Sequence, residues 1–153
     1  MSVSEVELDH KSRDARAGER QADVVTIERL VDPVVDDIGV PVTSRYCEVF
    51  WLPILGPSAM WMLRHCAYHT AGGPYVVDVD TLARSLGLGG GTGVHGPVRR
   101  TLTRLIAFHC ASGGVNRYAV RSSLGPVPRS ALGRLPESLR AAHAAFVAGE
   151  GAL

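Results

Sequence analysis

Residues 92–110, TGVHGPVRRTLTRLIAFHC, decide the fold that we expect for this chain. After Pro97, apolar side chains recur at the spacing of a single helical stripe: Val98, Leu102, Leu105 and Ile106. Side chains of a different kind fall on the opposite face: Arg100, Thr103, Arg104 and Ala107, with Arg99 at the border. The pattern predicts an amphipathic helix whose outer face suits nucleic acid, or else an ordinary solvated surface helix.

Charge is unevenly distributed along the 153 residues. Residues 1–42 carry ten acids and five bases, whereas residues 43–153 carry eleven arginines and five acids. A basic body behind an acidic leader suggests a nucleic-acid partner, with the leader masking the basic surface. The plainer alternative is that the leader only solvates the chain.

The cysteines and the longest uncharged stretch indicate where the protein works. Three cysteines without paired spacing, behind a polar first segment, favour a reducing, cytoplasmic setting. Residues 49–63 are uncharged but contain Pro53, Gly56 and Pro57, and they are fewer than the roughly 20 residues that a membrane span needs. We therefore expect a buried core segment and no membrane contact.

Composition shifts divide the chain into four expected segments. Residues 1–22 form an acidic, disordered leader, and residues 23–56 form a helical extension in which Pro33 separates two short pieces. Residues 57–124 form the main domain, and residues 125–153 form a Pro-rich connector and a final helix.

The main domain is expected to contain five elements in a fixed order. They are a helix over 58–69, a strand over 75–79, a helix over 80–88 capped by Asp80, the arginine-bearing helix over 97–109, and a hairpin turning at Gly113 and Gly114.

This order of elements resembles the winged helix-turn-helix domain, over residues of about 57–121. The resemblance is carried by DVDTLARSLGL (78–88), PVRRTLTRLIAFH (97–109) and SGGVNRYAVR (112–121). Such a pair of helices is typical of bacterial transcription regulators and plasmid replication initiators. One departure is the turn GGGTGVHG (89–96), which exceeds the three or four residues of a compact helix-turn-helix. The expected fold is mainly α with a small β-hairpin (α+β), a winged helix with extra N- and C-terminal helical segments.

The resemblance implies that the third helix enters the major groove of DNA. Arg100 and Arg104 are then the candidates for bidentate contacts to guanine, and Thr103 for a phosphate or a thymine methyl group. Contacts to the DNA backbone are expected from the helix border, the wing and the glycine-rich loop: Arg99, Arg117, Arg121, Thr92 and His95.

We therefore expect the protein to bind double-stranded DNA sequence-specifically and to regulate transcription. It is expected to dimerise through residues 49–63 and the final helix, which offer more apolar surface than a lone domain needs. One alternative is a winged-helix adaptor that docks on proteins through the region of Trp51 and Trp61, or through the final helix. Another is a regulator that senses a small molecule in a pocket under Trp61.

Other chemical motifs are weak or missing. His65 and His69 are four residues apart with Cys66 beside them, yet the sequence has no CxxC, no HExxH and no second ligand pair. The glycine-rich loop lacks the lysine of a phosphate-binding loop, and no GxSxG elbow occurs. Acids are too sparse after residue 42 to favour a paired acid/base site. We expect no enzymatic activity, no cofactor and no bound metal.

Overall fold

The computed structural model describes residues 22–91 and 93–153, so the expected leader, apart from its last residue, and the expected contact Thr92 lie outside the described residues. The helices within these ranges are α1 (Pro33–Ile38), α2 (Leu52–Leu55), α3 (Pro57–His69), α4 (Val79–Ser85), α5 (Pro97–Ala107), α6 (Arg129–Leu132) and α7 (Glu137–Val147). The strands are β1 (Val24–Arg29), β2 (Val40–Pro41), β3 (Tyr75–Asp78), β4 (Ala111–Gly114), β5 (Arg117–Val120) and β6 (Ser123–Leu124).

Four strands form one sheet in the order β3-β1-β5-β4, and β2 pairs separately with β6. The structure is thus a mixture of helices with a small sheet, which confirms the α+β class in its broad form. The five elements expected in the main domain occur in the expected order, as α3, β3, α4, α5 and the β4–β5 hairpin.

The first strand is the main departure from the expected architecture. β1 lies between β3 and β5, antiparallel to the former and parallel to the latter, with Ile27 opposite both Tyr75 and Tyr118. The expectation of a helical piece here is wrong. Residues 24–27 are all β-branched, which disfavours a helix. Val25 and Ile27 lie on the same face of the strand, and both are fully buried.

Pro53 lies inside a helical stretch and does not end it. Residues Cys47–Trp51 form a wide π-helical turn, in which the N–H of Leu52 donates to the carbonyl of Cys47, and α2 follows directly. A proline ring would clash with the carbonyl four residues earlier in a regular helix, and the wider turn relieves that clash. The helical stretch ends instead at Gly56, whose φ of +88° is a conformation that favours glycine.

The uncharged stretch 49–63 packs mainly into the core of its own chain. Its inward side chains include Phe50, Trp51, Ile54, Leu55, Ala59, Met60, Met62 and Leu63. The apolar surplus that motivated the dimer is therefore largely covered, and Trp61, which is 59% exposed, is the main exception. No helix within residues 22–91 and 93–153 is long and apolar enough to cross a bilayer.

Two local expectations also need correction. Asp78, not Asp80, caps α4, because its carboxylate accepts the N–H of Thr81. The hairpin turns at Val115 and Asn116 rather than at the glycine pair, which lies within β4. Gly113 is needed there for another reason: its φ is +99°, and a Cβ would clash with the carbonyl of Arg117.

Candidate nucleic-acid interface

α5 lies with one face in the core and one face in solvent. Pro97 occupies its first turn, where a missing N–H costs nothing, and Val98, Leu102 and Leu105 are fully buried. The expected outward residues are exposed on the opposite face: Arg100, Thr103, Arg104 and Ala107. The helix thus has the orientation that its sequence periodicity predicts.

Eleven residues, 86–96, separate α4 from α5. Gly87 ends α4 in the left-handed conformation, with φ of +65°, while the N–H of Leu88 reaches back to the carbonyl of Ala83. The loop closes before α5 through a bond from the Gly96 N–H to the Gly93 carbonyl (2.8 Å). His95 lies exposed in this loop.

Arg99 is buried and has partners within the chain. Its guanidinium donates to both carboxylate oxygens of Asp23, at 2.7 and 2.9 Å, and to the Asn116 side-chain oxygen at 2.8 Å. Only 8% of the residue is exposed. This placement argues against the expected phosphate contact, because a guanidinium that is already buried and paired has little to offer a ligand.

Arg117 and Arg121, the two expected contacts from the wing, are also ion-paired. Arg117 pairs with Glu28 on the neighbouring strand β1. Arg121 donates from Nη2 to Asp32 (2.9 Å) and from Nε to the carbonyl of His109 (2.8 Å). Arg99, Arg117 and Arg121 are called the hairpin-side arginines below.

The three acids that pair with these arginines come from one short part of the chain. Asp23, Glu28 and Asp32 precede, lie within and follow β1, and the insertion of β1 beside β5 places them there. Asp32 also caps α1, and the backbone N–H of Val35, together with Arg121, holds the pKa of Asp32 below its ordinary value. The acids that pair with the hairpin-side arginines therefore belong to the folded segment 23–32.

A second group of arginines faces no carboxylate within the described part of the chain. Arg100 is exposed, and Arg104 lies one helical turn further along the same face. The guanidinium carbons of Arg104 and Arg134 each lie 5.1 Å from the centre of the Phe108 ring. Arg100, Arg104 and Arg134 are called the outer-face arginines below.

Arg104 is held in place by backbone oxygens. Its Nε donates to the carbonyl of Leu55 (2.5 Å) and its Nη2 donates to the carbonyl of Ile54 (2.9 Å), at the end of α2. Backbone carbonyls do not neutralise the positive charge of the guanidinium. The two bonds use two of its five N–H groups, so three remain for other acceptors. Both N–H groups of Nη1 and the second N–H group of Nη2 are therefore open to an acceptor such as a phosphate or a base edge.

Two surface clefts flank α5. A cleft of about 230 Å³ lies between Arg104, Thr101 and the start of α3, whose first turn has no side-chain cap among the described residues. A larger cleft of about 490 Å³ separates α5 from the hairpin, and Thr103 lines it opposite Val115. Thr103 thus lies on the hairpin side of the helix and Arg104 on the α3 side.

The histidine pair on α3 forms an aromatic cluster. The rings of His65 and His69 are 4.3 Å apart, His69 stacks on Tyr75, and His65 Nε2 lies 3.2 Å from the Tyr75 hydroxyl. Burial, and then the neighbouring His69, lowers the pKa of His65. Within residues 22–91 and 93–153, no group of three or more His, Cys, Asp or Glu side chains is placed to hold a metal ion.

The cysteines are buried free thiols. Burial raises the pKa of Cys66 to about 12 and that of Cys110 to about 12, while that of Cys47 is raised for the same reason. Thiols that stay protonated at neutral pH are poor nucleophiles, so these side chains serve packing.

Sequence reasoning missed Arg134 and the three paired acids. Arg134 follows a four-residue helix and has no periodic relation to α5, so only the fold brings it to Phe108. The acids had a weak signal, since the β-branched run at residues 24–27 indicates a strand.

Comparison with protein-family models, with curated proteins and with solved structures finds no match to this chain.

Proposed function

We propose that this protein binds double-stranded DNA through the outer face of α5 and acts as a small winged-helix regulator without enzymatic activity. The observation that carries the proposal is the group of outer-face arginines, none of which faces a carboxylate among the described residues. Arg100 and Arg104 lie on the exposed face of α5 and Arg134 lies beside its end, so three positive charges are available to the phosphates of a duplex. The order of elements from α3 to the hairpin supports the same proposal.

The outer-face residues take different roles in this proposal. Arg100 has no side-chain partner among the described residues and is the candidate for reading guanine. Arg104, fixed by the α2 carbonyls, and Arg134 bind phosphates. Thr103 and His95 remain candidates for further contacts, while the hairpin-side arginines contribute little because carboxylates already neutralise them.

A duplex titration tests the proposal directly. Fluorescence anisotropy of a labelled duplex is measured at several salt concentrations with the wild type and with the double variant Arg100→Gln/Arg134→Gln. Roughly 0.9 counterions are released per phosphate contacted, so loss of the Arg134 contact should lower the logarithmic salt slope by about 1, and loss of the guanine contact of Arg100 should weaken binding further. Arg104 is left intact because its bonds to α2 also support the fold.

The matched control is Arg45→Gln/Arg84→Gln, which removes the same charge from two exposed arginines that pair with Glu48 and Asp80. This control should keep the wild-type slope. Equal slopes for all three proteins, or no binding of duplex at low salt, would refute the proposal.

A second candidate function is docking on another protein through α3. Trp61 and Tyr68 lie two turns apart on one face of α3 and are 59% and 79% exposed, and the Arg64 guanidinium lies 5.2 Å from the Trp61 ring centre. Tryptophan, tyrosine and arginine are the residue types that dominate binding energy at interfaces. Trp51 does not belong to this surface, since it is buried and its indole N–H donates to the Gly125 carbonyl.

The partner that we propose for this surface is a second copy of the chain, because self-association can be measured with the purified protein alone. Light scattering should give a dimer mass for the wild type and a monomer mass for Trp61→Ala/Tyr68→Ala. A wild type that stays monomeric at high concentration would exclude this self-association. For either function we propose a cytoplasmic location, which the three buried free thiols support because a reducing compartment leaves thiols unpaired.

A further inference from the structure

The C-terminal part of the chain forms a groove that none of the outer-face arginines lines. It lies between α6 and α7, opens to solvent, and has a volume of about 500 Å³. Leu132, Ala144 and Val147 contribute to its apolar wall. Volumes of this size are ordinary for sites that hold small organic molecules.

The charged groups of this groove are all of one sign. Arg129 and Arg140 line it, and no aspartate or glutamate is among its lining residues in the described chain. Arg140 is oriented by a hydrogen bond from Nη1 to the Leu135 carbonyl (3.1 Å). Because a carbonyl carries no net charge, this bond does not neutralise the guanidinium. A carboxylate in the groove would therefore meet two guanidinium groups and no repelling acid.

His143, the third polar side chain of the groove, is fixed from the core side. The Tyr46 hydroxyl accepts the N–H of Val127 (2.9 Å), so its own proton is free to be donated to His143 Nε2, 2.9 Å away. A neutral ring with Nε2 as acceptor carries its proton on Nδ1, which leaves Nδ1 as the remaining donor of the ring. Phe50 packs edge-on against the ring at 5.0 Å and holds its plane.

We propose that this groove binds a small organic carboxylate with an apolar body. The carboxylate pairs with Arg129 and Arg140, and the apolar body lies against Leu132, Ala144 and Val147. A neutral molecule of the same shape would satisfy the apolar wall but offer no negative charge to the two guanidinium groups. The proposal does not rest on DNA binding, since none of the outer-face arginines lines this groove.

The probe is 4-phenylbutyrate, and 4-phenylbutanol is the neutral control of similar shape. Binding is followed in two-dimensional NMR spectra of the whole chain through the amides of Val127 and Ala144 and the indole N–H of Trp51. That indole bonds to the carbonyl of Gly125, the residue before Pro126 at the groove edge. We expect saturable shifts with the carboxylate, and affinity for the alcohol about tenfold weaker.

Variants then test the charge requirement. Arg129→Gln, whose side chain has no bond to another described residue, should weaken 4-phenylbutyrate binding about tenfold without changing the thermal midpoint. Arg45→Gln removes an exposed arginine elsewhere and should leave the affinity unchanged. The proposal fails if shifts do not saturate up to about 10 mM probe, if the alcohol binds equally well, or if Arg129→Gln binds like the wild type.

Discussion

The hairpin-side and outer-face arginines lie close together in the chain but differ in what surrounds them. Arg99 and Arg100 are neighbours in sequence, yet Arg99 is buried against Asp23 and Arg100 points into solvent. The acids that pair with the hairpin side all belong to the segment around β1. Charge counted along the sequence therefore overstates the basic surface, because three of the five arginines expected to contact DNA are paired with carboxylates of the same chain.

The position of one strand decides which arginines of α5 and its surroundings are paired with carboxylates. β1 enters the sheet next to β5, and this position carries its carboxylates to the hairpin but not to the outer face of α5. We therefore expect substitutions of the hairpin-side arginines to lower stability more than DNA affinity. Substitutions of the outer-face arginines should lower DNA affinity more than stability.

The largest expected effect is on stability, from Arg99→Ala. This change leaves the half-buried Asp23 carboxylate without its two donors, and we expect a loss of about 3 kcal/mol in the free energy of unfolding. Arg100→Ala, at the next position of α5, should cost no more than about 0.5 kcal/mol. Urea denaturation measures both, and equal midpoints would contradict the assignment of Arg99 to the fold.

The next effect is on DNA affinity and separates the two groups directly. Arg100→Gln should weaken duplex binding by about 1–2 kcal/mol at low salt, because the exposed guanidinium makes its contact only in the complex. Arg117→Gln should weaken it much less, since Glu28 already neutralises that charge. Anisotropy titrations at a fixed salt concentration give both values. A greater loss for Arg117→Gln would reverse our assignment of the two surfaces.

A smaller effect, of opposite sign, is expected when a paired arginine is released. Glu28→Gln removes the carboxylate that pairs with Arg117, and affinity for duplex at low salt should rise about threefold, as one more phosphate contact becomes possible. Asp37→Asn changes the charge equally at an exposed position of α1 and serves as the control. If both variants bind alike, the gain reflects net charge and not the release of Arg117.

The smallest effect concerns acid stability. The lowered pKa of Asp32 means that its stabilising contribution is present above its ordinary value of 3.8 and is lost as pH falls through the lower value of the folded state. Asp32→Asn should therefore flatten the decline of unfolding free energy below about pH 4, since asparagine still caps α1 but cannot titrate. Urea midpoints between acidic and neutral pH measure this slope. A slope equal to that of the wild type would exclude the Asp32–Arg121 pair as its cause.

The sequence by itself determined the helices of the main domain and their order. The 3.6-residue stripe of α5 predicted which side chains face inward, because burial of apolar area follows helical periodicity wherever the helix packs. Ser44 is another local signal, since serine is a preferred helix cap and its hydroxyl accepts the Cys47 N–H at 3.3 Å. Such local signals depend on residues a few positions apart, so a sequence displays them directly.

The tertiary structure alone decided which arginines remain free. The pairs Asp23–Arg99, Glu28–Arg117 and Asp32–Arg121 join residues more than seventy positions apart, and no periodicity links their partners. They form because β1 is inserted beside β5, and the pairing of distant strands depends on the whole fold. The same holds for Arg134, which reaches Phe108 only after α6 has packed.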